Sequence, residues 1–196
     1  MKVFNARTTA ALATLLALGA CGGKASFDIN GTVSGLNNPG LVLVNNKNGD
    51  EVNVPAGVTT FKFPKSIDYG TEYNVTLKAN PSHQSCTVGN GSGSAGHLAS
   101  VTVAVICTQN AYTIGGVLTG PIGDGTVVLI NGSTGGQVSV TKDALNFTFA
   151  TPVADGTPYG VAVLSQPANL SCTVANGSDI MGESPRNNIV VTCVAK

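Results

Sequence analysis

The chain has 196 residues, a formal net charge of zero and only 10% charged side chains. That balance excludes a protein built to grip nucleic acid, which needs a basic excess to displace counterions from a phosphate backbone. Asn, Ser, Thr and Gly keep the surface wet instead of charges, and the 25 glycines and 9 prolines interrupt every candidate helix after residue 20.

Lys2 and Arg7 precede a short apolar run, Ala10-Ala11-Leu12-Ala13-Thr14-Leu15-Leu16-Ala17-Leu18, closed by Gly19 and Ala20. A basic start, an apolar middle and small residues at the end are the marks of a secretory signal. The run falls short of the ~20 residues that a membrane span needs. Leu18-Gly19-Ala20-Cys21 resembles the lipobox of bacterial lipoproteins. The resemblance implies that residues 1–20 are removed and that Cys21 carries a diacylglyceryl thioether and an acylated amine. Residues 21–26 then form a tether, and the membrane is a partner through Cys21. At about 0.8 kcal/mol per buried CH₂, several acyl chains make a near-permanent anchor. Gly22 is not the aspartate associated with inner-membrane retention, which favours the outer membrane. From Cys21 onward eight basic and ten acidic residues remain.

The rest of the chain is one unit written twice. Cys86-Thr87-Val88-Gly89-Asn90-Gly91-Ser92 recurs as Cys172-Thr173-Val174-Ala175-Asn176-Gly177-Ser178, and Cys107 and Cys193 each follow 21 residues after the first cysteine of their unit. Residues 41–107 align with 127–193 without a gap, about a third of them identical. The first strand aligns with a slip of one residue, which falls in the turn before the second strand, where added length costs little. Duplication of a self-contained domain accounts for this better than a solenoid, whose repeats are shorter and more numerous. The expected boundaries are 27–108 and 111–196.

Five cysteines minus the lipidated Cys21 leave four. Export places them where disulfides persist. Of three possible pairings, the duplication selects Cys86–Cys107 and Cys172–Cys193, each worth roughly 3 kcal/mol by chain entropy. A metal site is the competing reading. It lacks a C-x-x-C pair, and His83 and His97 have no counterparts in the second unit, so no metal and no cofactor are expected.

Within each unit the apolar pattern has period two. Ile29 and Val33 alternate with Asn30 and Thr32. Leu41-Val42-Leu43-Val44 and Val127-Val128-Leu129-Ile130 are apolar on both faces, as in a central strand. Asn48-Gly49 and Gly135-Gly136 read as tight turns. Val52/Val54, Phe61/Phe63, Tyr73/Val75/Leu77 and Val103/Val105/Cys107 each share a face, and each has its match in the second unit. Seven short strands per unit predict two tandem antiparallel β-sandwich domains with one disulfide each.

Phe61-x-Phe63…Gly70-Thr71-x-Tyr73-x-Val75 resembles the F-x-F…G-x-Y-x-V pattern of transthyretin-like (Cna B-type) domains, and it recurs from Phe147 to Val161. The isopeptide bond of some such domains does not carry over, because Lys47 aligns with Ser133 and Lys62 with Thr148. An immunoglobulin-like topology is the alternative, although its bridge spans a longer loop and packs on a tryptophan that this chain lacks. The mature chain also resembles a tandem module of exported bacterial lipoproteins marked by G-T-V-S-G-L, F-x-F, C-T-V-x-N-G-S and a closing V-x-C. That resemblance implies a spacer or binding module and no catalytic residues.

Few residues suggest chemistry. His83 and His97 lie in loops rich in Ser and Gly, where side chains are usually solvated. A triad on either would need convergence with a serine and an acid. Asp50, Asp68 and Glu72 are read as solvated surface acids rather than a carboxylate pair. Gly123-Asp124-Gly125 reads as a turn, since no spaced acidic ligands for calcium follow it. Asn-x-Ser/Thr at Asn74, Asn90, Asn131, Asn146, Asn169 and Asn176 follows from composition and not from glycosylation. Loops 91–100, 178–187 and 120–126 differ most between units and are where a protein or glycan partner would be read; an exposed edge strand is a second route. The leading reading is a non-catalytic envelope module. Its rival is a hydrolytic or carbohydrate-processing enzyme with a site between the units, which requires His83, His97 and an acid to meet in one cavity.

Overall fold

A computed structural model describes residues 25–97 and 100–196. The signal segment 1–20, Cys21 and most of the tether lie outside the described residues. Among the described residues every regular element is a strand, and no helix is long and apolar enough to cross a membrane.

The first unit runs β1 (Ser26–Phe27), β2 (Ile29–Ser34), β3 (Leu41–Asn45), β4 (Asp50–Val54), β5 (Thr60–Lys62), β6 (Ile67–Asp68), β7 (Glu72–Ala79), β8 (Gln84–Gly89), β9 (Ser92–Ser94) and β10 (Val101–Gln109). The second repeats it as β11 (Ala111–Tyr112), β12 (Ile114–Thr119), β13 (Thr126–Asn131), β14 (Gln137–Thr141), β15 (Asn146–Thr148), β16 (Val153–Ala154), β17 (Pro158–Ser165), β18 (Leu170–Ala175), β19 (Ser178–Ile180) and β20 (Arg186–Ala195). The seven strands expected in each unit are present, and three short ones are added: β1, β6 and β9, with their repeats.

Each unit is two four-stranded sheets and a two-stranded ribbon. The orders are β5-β2-β10-β8 and β4-β3-β7-β9 in the first unit, and β15-β12-β20-β18 and β14-β13-β17-β19 in the second. The strand pairs are antiparallel except one in each unit: the last long strand lies parallel to the first, β10 on β2 and β20 on β12. Alternation puts Ile29, Leu43, Val103 and Val105 into one core and Leu118, Leu129, Ile189 and Val191 into another, all at most 2% exposed. The F-x-F signature supplies an edge-on ring pair to each core, Phe61–Phe63 and Phe147–Phe149, with centroids 6.2 and 6.1 Å apart.

Cys86 faces Cys107 directly across β8 and β10, and Cys172 faces Cys193 across β18 and β20, each pair bonded with Cα atoms 4.0 Å apart. The N–H of the first cysteine of each pair donates to a side chain six residues upstream, Asn80 Oδ1 or Gln166 Oε1, at 2.9 Å. The rest of C-T-V-x-N-G-S is explained by backbone geometry. Asn90 and Asn176 have φ of 55° and 56°, a conformation that Asn tolerates better than most residues. The following glycines let the chain pass against the neighbouring strand: the Val75 N–H donates to Gly91 O at 2.6 Å, and the Val161 N–H to Gly177 O at 2.7 Å. A Cβ on Gly177 would stand 2.8 Å from the Val161 carbonyl oxygen, and one on Gly91 would overlap that of Val75. The motif is therefore a structural device.

Asn45 and Asn131, both fully buried, end the apolar strands β3 and β13. Their Oδ1 atoms accept the backbone N–H of Asn74 at 2.9 Å and of Gly160 at 3.1 Å, tying each hairpin turn to the long strand beside it. The side chain of Asn131 is thus committed to the interior. Replacing Gly91 by Ala should cost about 1–3 kcal/mol through forced backbone movement. Asn90→Gly, which keeps the left-handed conformation, should be near neutral. Urea unfolding of both variants measures the difference.

Candidate functional site

The two units meet at the ribbon of the second. Asn110, the linker residue, serves both: its N–H donates to His83 O and its carbonyl accepts the Asp155 N–H, each at 2.9 Å. Gln109 adds a bond from Nε2 to Asp155 O at 3.0 Å. The side chain of Asp155 is wholly buried beneath this junction, and His83 Nδ1 stands 3.1 Å from its Oδ1. Neither carboxylate oxygen has an aligned hydrogen bond. The His83 contact is one of proximity, and His83 is the one basic side chain within ion-pair distance of Asp155 among the described residues. His83 has φ of 60°, and its ring lies over Gly156, with atoms 3.1–3.2 Å from where a Cβ would stand.

Beside the junction is a polar groove of about 460 Å³, lined by residues that include His83, Ser82, Ser85, Tyr112 and Glu183. The Ser85 hydroxyl is engaged with Asn110 Oδ1 at 2.8 Å. Among the described residues no hydroxyl is hydrogen-bonded to His83. The groove therefore presents His83, whose acid neighbour Asp155 is buried and does not line it, without a nucleophile attached to the ring.

His97 lines a different cavity, of about 260 Å³, with Tyr73, Gly93, Ser94, Gly96, Ser100 and Val101. The two histidines do not share a cavity, so the convergence that the enzyme reading requires is not found. The corresponding space in the second unit is occupied. Arg186 stands where the first unit has Ser100, and its Nη2 is 3.2 Å from the Cβ position of Gly182, the match of Gly96. Tyr159, the match of Tyr73, is 4% exposed. Burial raises its phenol above the ordinary range, the Asp179 carboxylate raises it further, and Arg186 offsets part of the rise.

The other acids are scattered. Glu72 pairs with Lys47 at 2.7 Å, a hydrogen bond and charge contact that hold its carboxyl below the usual value. Asp50 is buried and accepts the Lys65 N–H at 3.0 Å, in contrast to the solvated acid expected. The cause is local: it sits at the inward first position of β4, where a main-chain donor satisfies it. Asp124 pairs with Lys142 across a surface turn. Among the described residues no three of His, Cys, Asp and Glu are placed to hold a metal. Ile122, in loop 120–126, points into the core at 5% exposure, which leaves less of that loop for recognition. Sequence reasoning missed Asn45, Asn131 and the partner of His83. The two asparagines could have been found, since they are identical and equally placed; Asp155 could not, since its counterpart is Tyr69.

Fold and bridges together define a tandem β-sandwich protein with one disulfide per domain. No protein-family model and no curated protein matches the chain. Among solved structures it is similar to the major pilin protein T-13 of Streptococcus pyogenes at 12% identity and a TM-score of 0.35, covering 89% of this chain and 98% of that one. It is also similar to a mutant of shaft pilin spaA of Lactobacillus rhamnosus GG at 11% identity and a TM-score of 0.29, covering 86% and 99%. At such scores the likeness says nothing about function.

Two outcomes test the site. His83→Ala should destabilise the protein by about 1–3 kcal/mol by stranding a buried carboxylate, and by less in an Asp155→Ala background. Tyr159 makes stability depend on pH in the alkaline range. Because its folded pKa is raised, its contribution is intact below the ordinary value of 10.0 and is lost as pH rises through the folded value. Unfolding free energy should fall in that range, and less steeply in Tyr159→Phe.

Proposed function

We propose that the chain is a bacterial envelope lipoprotein, anchored through Cys21, whose two stapled sandwiches act as a non-catalytic spacer or binding module. The observation that carries this reading is where the repeat is kept and where it is not. Positions shared by both units build scaffold: the cysteines, Asn45/Asn131, Asn90/Asn176, Gly91/Gly177 and Phe63/Phe149. Chemically distinctive residues such as His83, His97, Asp155, Glu183 and Arg186 occur in one unit only. Selection for a stiff, copied body with varied loops produces that pattern. The exposed parts of segments 91–97 and 178–185, around the short edge strands β9 and β19, are the surfaces offered to a protein or glycan partner, with Ala95 and Met181 turned into the cores, and the outer membrane is the favoured location.

One observation favours the enzyme alternative: a buried acid stands 3.1 Å from His83 Nδ1, the spacing though not the aligned hydrogen bond of half a general-base arrangement. Incubation with a panel of chromogenic esters and glycosides separates the readings. Turnover that disappears in His83→Ala would establish the enzyme.

The anchoring reading makes its own prediction. Cys21→Ser should release the chain from the membrane fraction, while native Cys21 should show the mass of its acyl groups in the N-terminal peptide. Recovery of native protein that still begins at Met1, or with unmodified Cys21, would overturn it.

A further inference from the structure

We propose that the near end of the first unit rests on the bilayer, with Tyr69 as the side chain that enters the headgroup zone. The inference depends on lipidation at Cys21. Tyr69 is 69% exposed, the most exposed large hydrophobic side chain among the described residues. Its ring is nonetheless held in place. It lies against Gly96, whose φ of +96° and lack of a Cβ make room for it, and the Phe27 ring stands behind it with centroids 6.3 Å apart. An aromatic side chain propped outward from both sides needs a reason other than core packing.

The position supplies the reason. The Tyr69 N–H donates to the carbonyl of Ala25 at 2.9 Å, so Tyr69 marks the point where the chain enters the fold. Three residues, Gly22, Gly23 and Lys24, separate Ala25 from Cys21, which makes four Cα–Cα steps. Fully extended, they span no more than about 14 Å. The acylated cysteine therefore keeps this end of the unit within a short reach of the lipid surface. In the second unit the same position is Asp155, whose N–H makes the equivalent bond to Asn110 O beneath the first unit. Where the neighbour is protein, the residue is a buried acid that meets a histidine. Where the neighbour would be membrane, it is tyrosine, an apolar ring with a polar tip of the kind enriched at lipid–water boundaries. Asp68, exposed beside it, keeps this end at headgroup depth. Two attachments, acyl chains and ring, would fix the orientation of the first unit where a tether alone leaves it free to swing.

The chain contains no tryptophan, so Tyr69→Trp creates a sole reporter at the proposed contact. Leu164→Trp places the same reporter on an exposed site of the second unit. Each acylated variant is reconstituted into phosphatidylethanolamine–phosphatidylglycerol vesicles, with and without lipids brominated near the headgroup. The expected result for Tyr69→Trp is a blue shift relative to its unacylated Cys21→Ser form and loss of emission in brominated lipid. Leu164→Trp should show neither. Acylated Tyr69→Trp protein that floats with the vesicles while its indole emission stays as in water would overturn the contact and leave the anchor standing. Protein without acyl mass that fails to float would overturn both. A blue shift that tracks protein concentration without lipid would assign this face to a second copy of the chain and overturn the bilayer contact.

Discussion

Each unit closes through its last long strand. β10 lies parallel beside β2, a pairing that brings together segments about 70 residues apart and is bought with most of the loop-closure entropy of the domain. On its other side β10 is bonded to β8 by the disulfide at the centre of their ladder. A strand paired on both sides and covalently fixed on one gives a small domain a spine that its limited core would not provide alone. β20 does the same in the second unit. The short turn of C-T-V-x-N-G-S then carries the chain from this sheet to the edge of the other, so the cysteine, the left-handed asparagine and the small glycine belong to one mechanism.

Most of this was legible in the residues. Period-two alternation located seven strands per unit because one face of each is buried, and duplication paired the cysteines because a copied domain closes its own bridge. Asn45 and Asn131 escaped because an asparagine after an apolar run reads as a turn residue; only the fold shows that it points inward and satisfies a main-chain donor on β7 or β17. Asp50 escaped for a similar reason, as burial of a carboxylate at the start of a strand depends on a donor fifteen residues away. The contact between His83 and Asp155 joins residues 72 apart in chain and different in type from their repeat counterparts, so neither periodicity nor self-comparison could reveal it.

The divergence between the units is as ordered as their likeness. It includes the junction and the space beside the shared tyrosine, which is open next to Tyr73 and filled by Arg186 next to Tyr159. The same scaffold thus hosts a small recess in one copy and a packed cation in the other without altering strand order. That separation between what holds the sandwich and what decorates it is how a duplicated module acquires different surfaces at little cost in stability.

The parallel placement of the first and last long strands also sets how the molecule responds to force. Traction applied to the two ends of a unit runs along β2 and β10 in opposite senses, so the ladder from Ile29–Val101 to Ser34–Ile106 is sheared as a whole instead of being peeled open bond by bond. The cross-link to β8 keeps the loaded strand from being drawn out of its sheet on the far side. A chain pulled at its two ends would bear load through this geometry in both copies, in series.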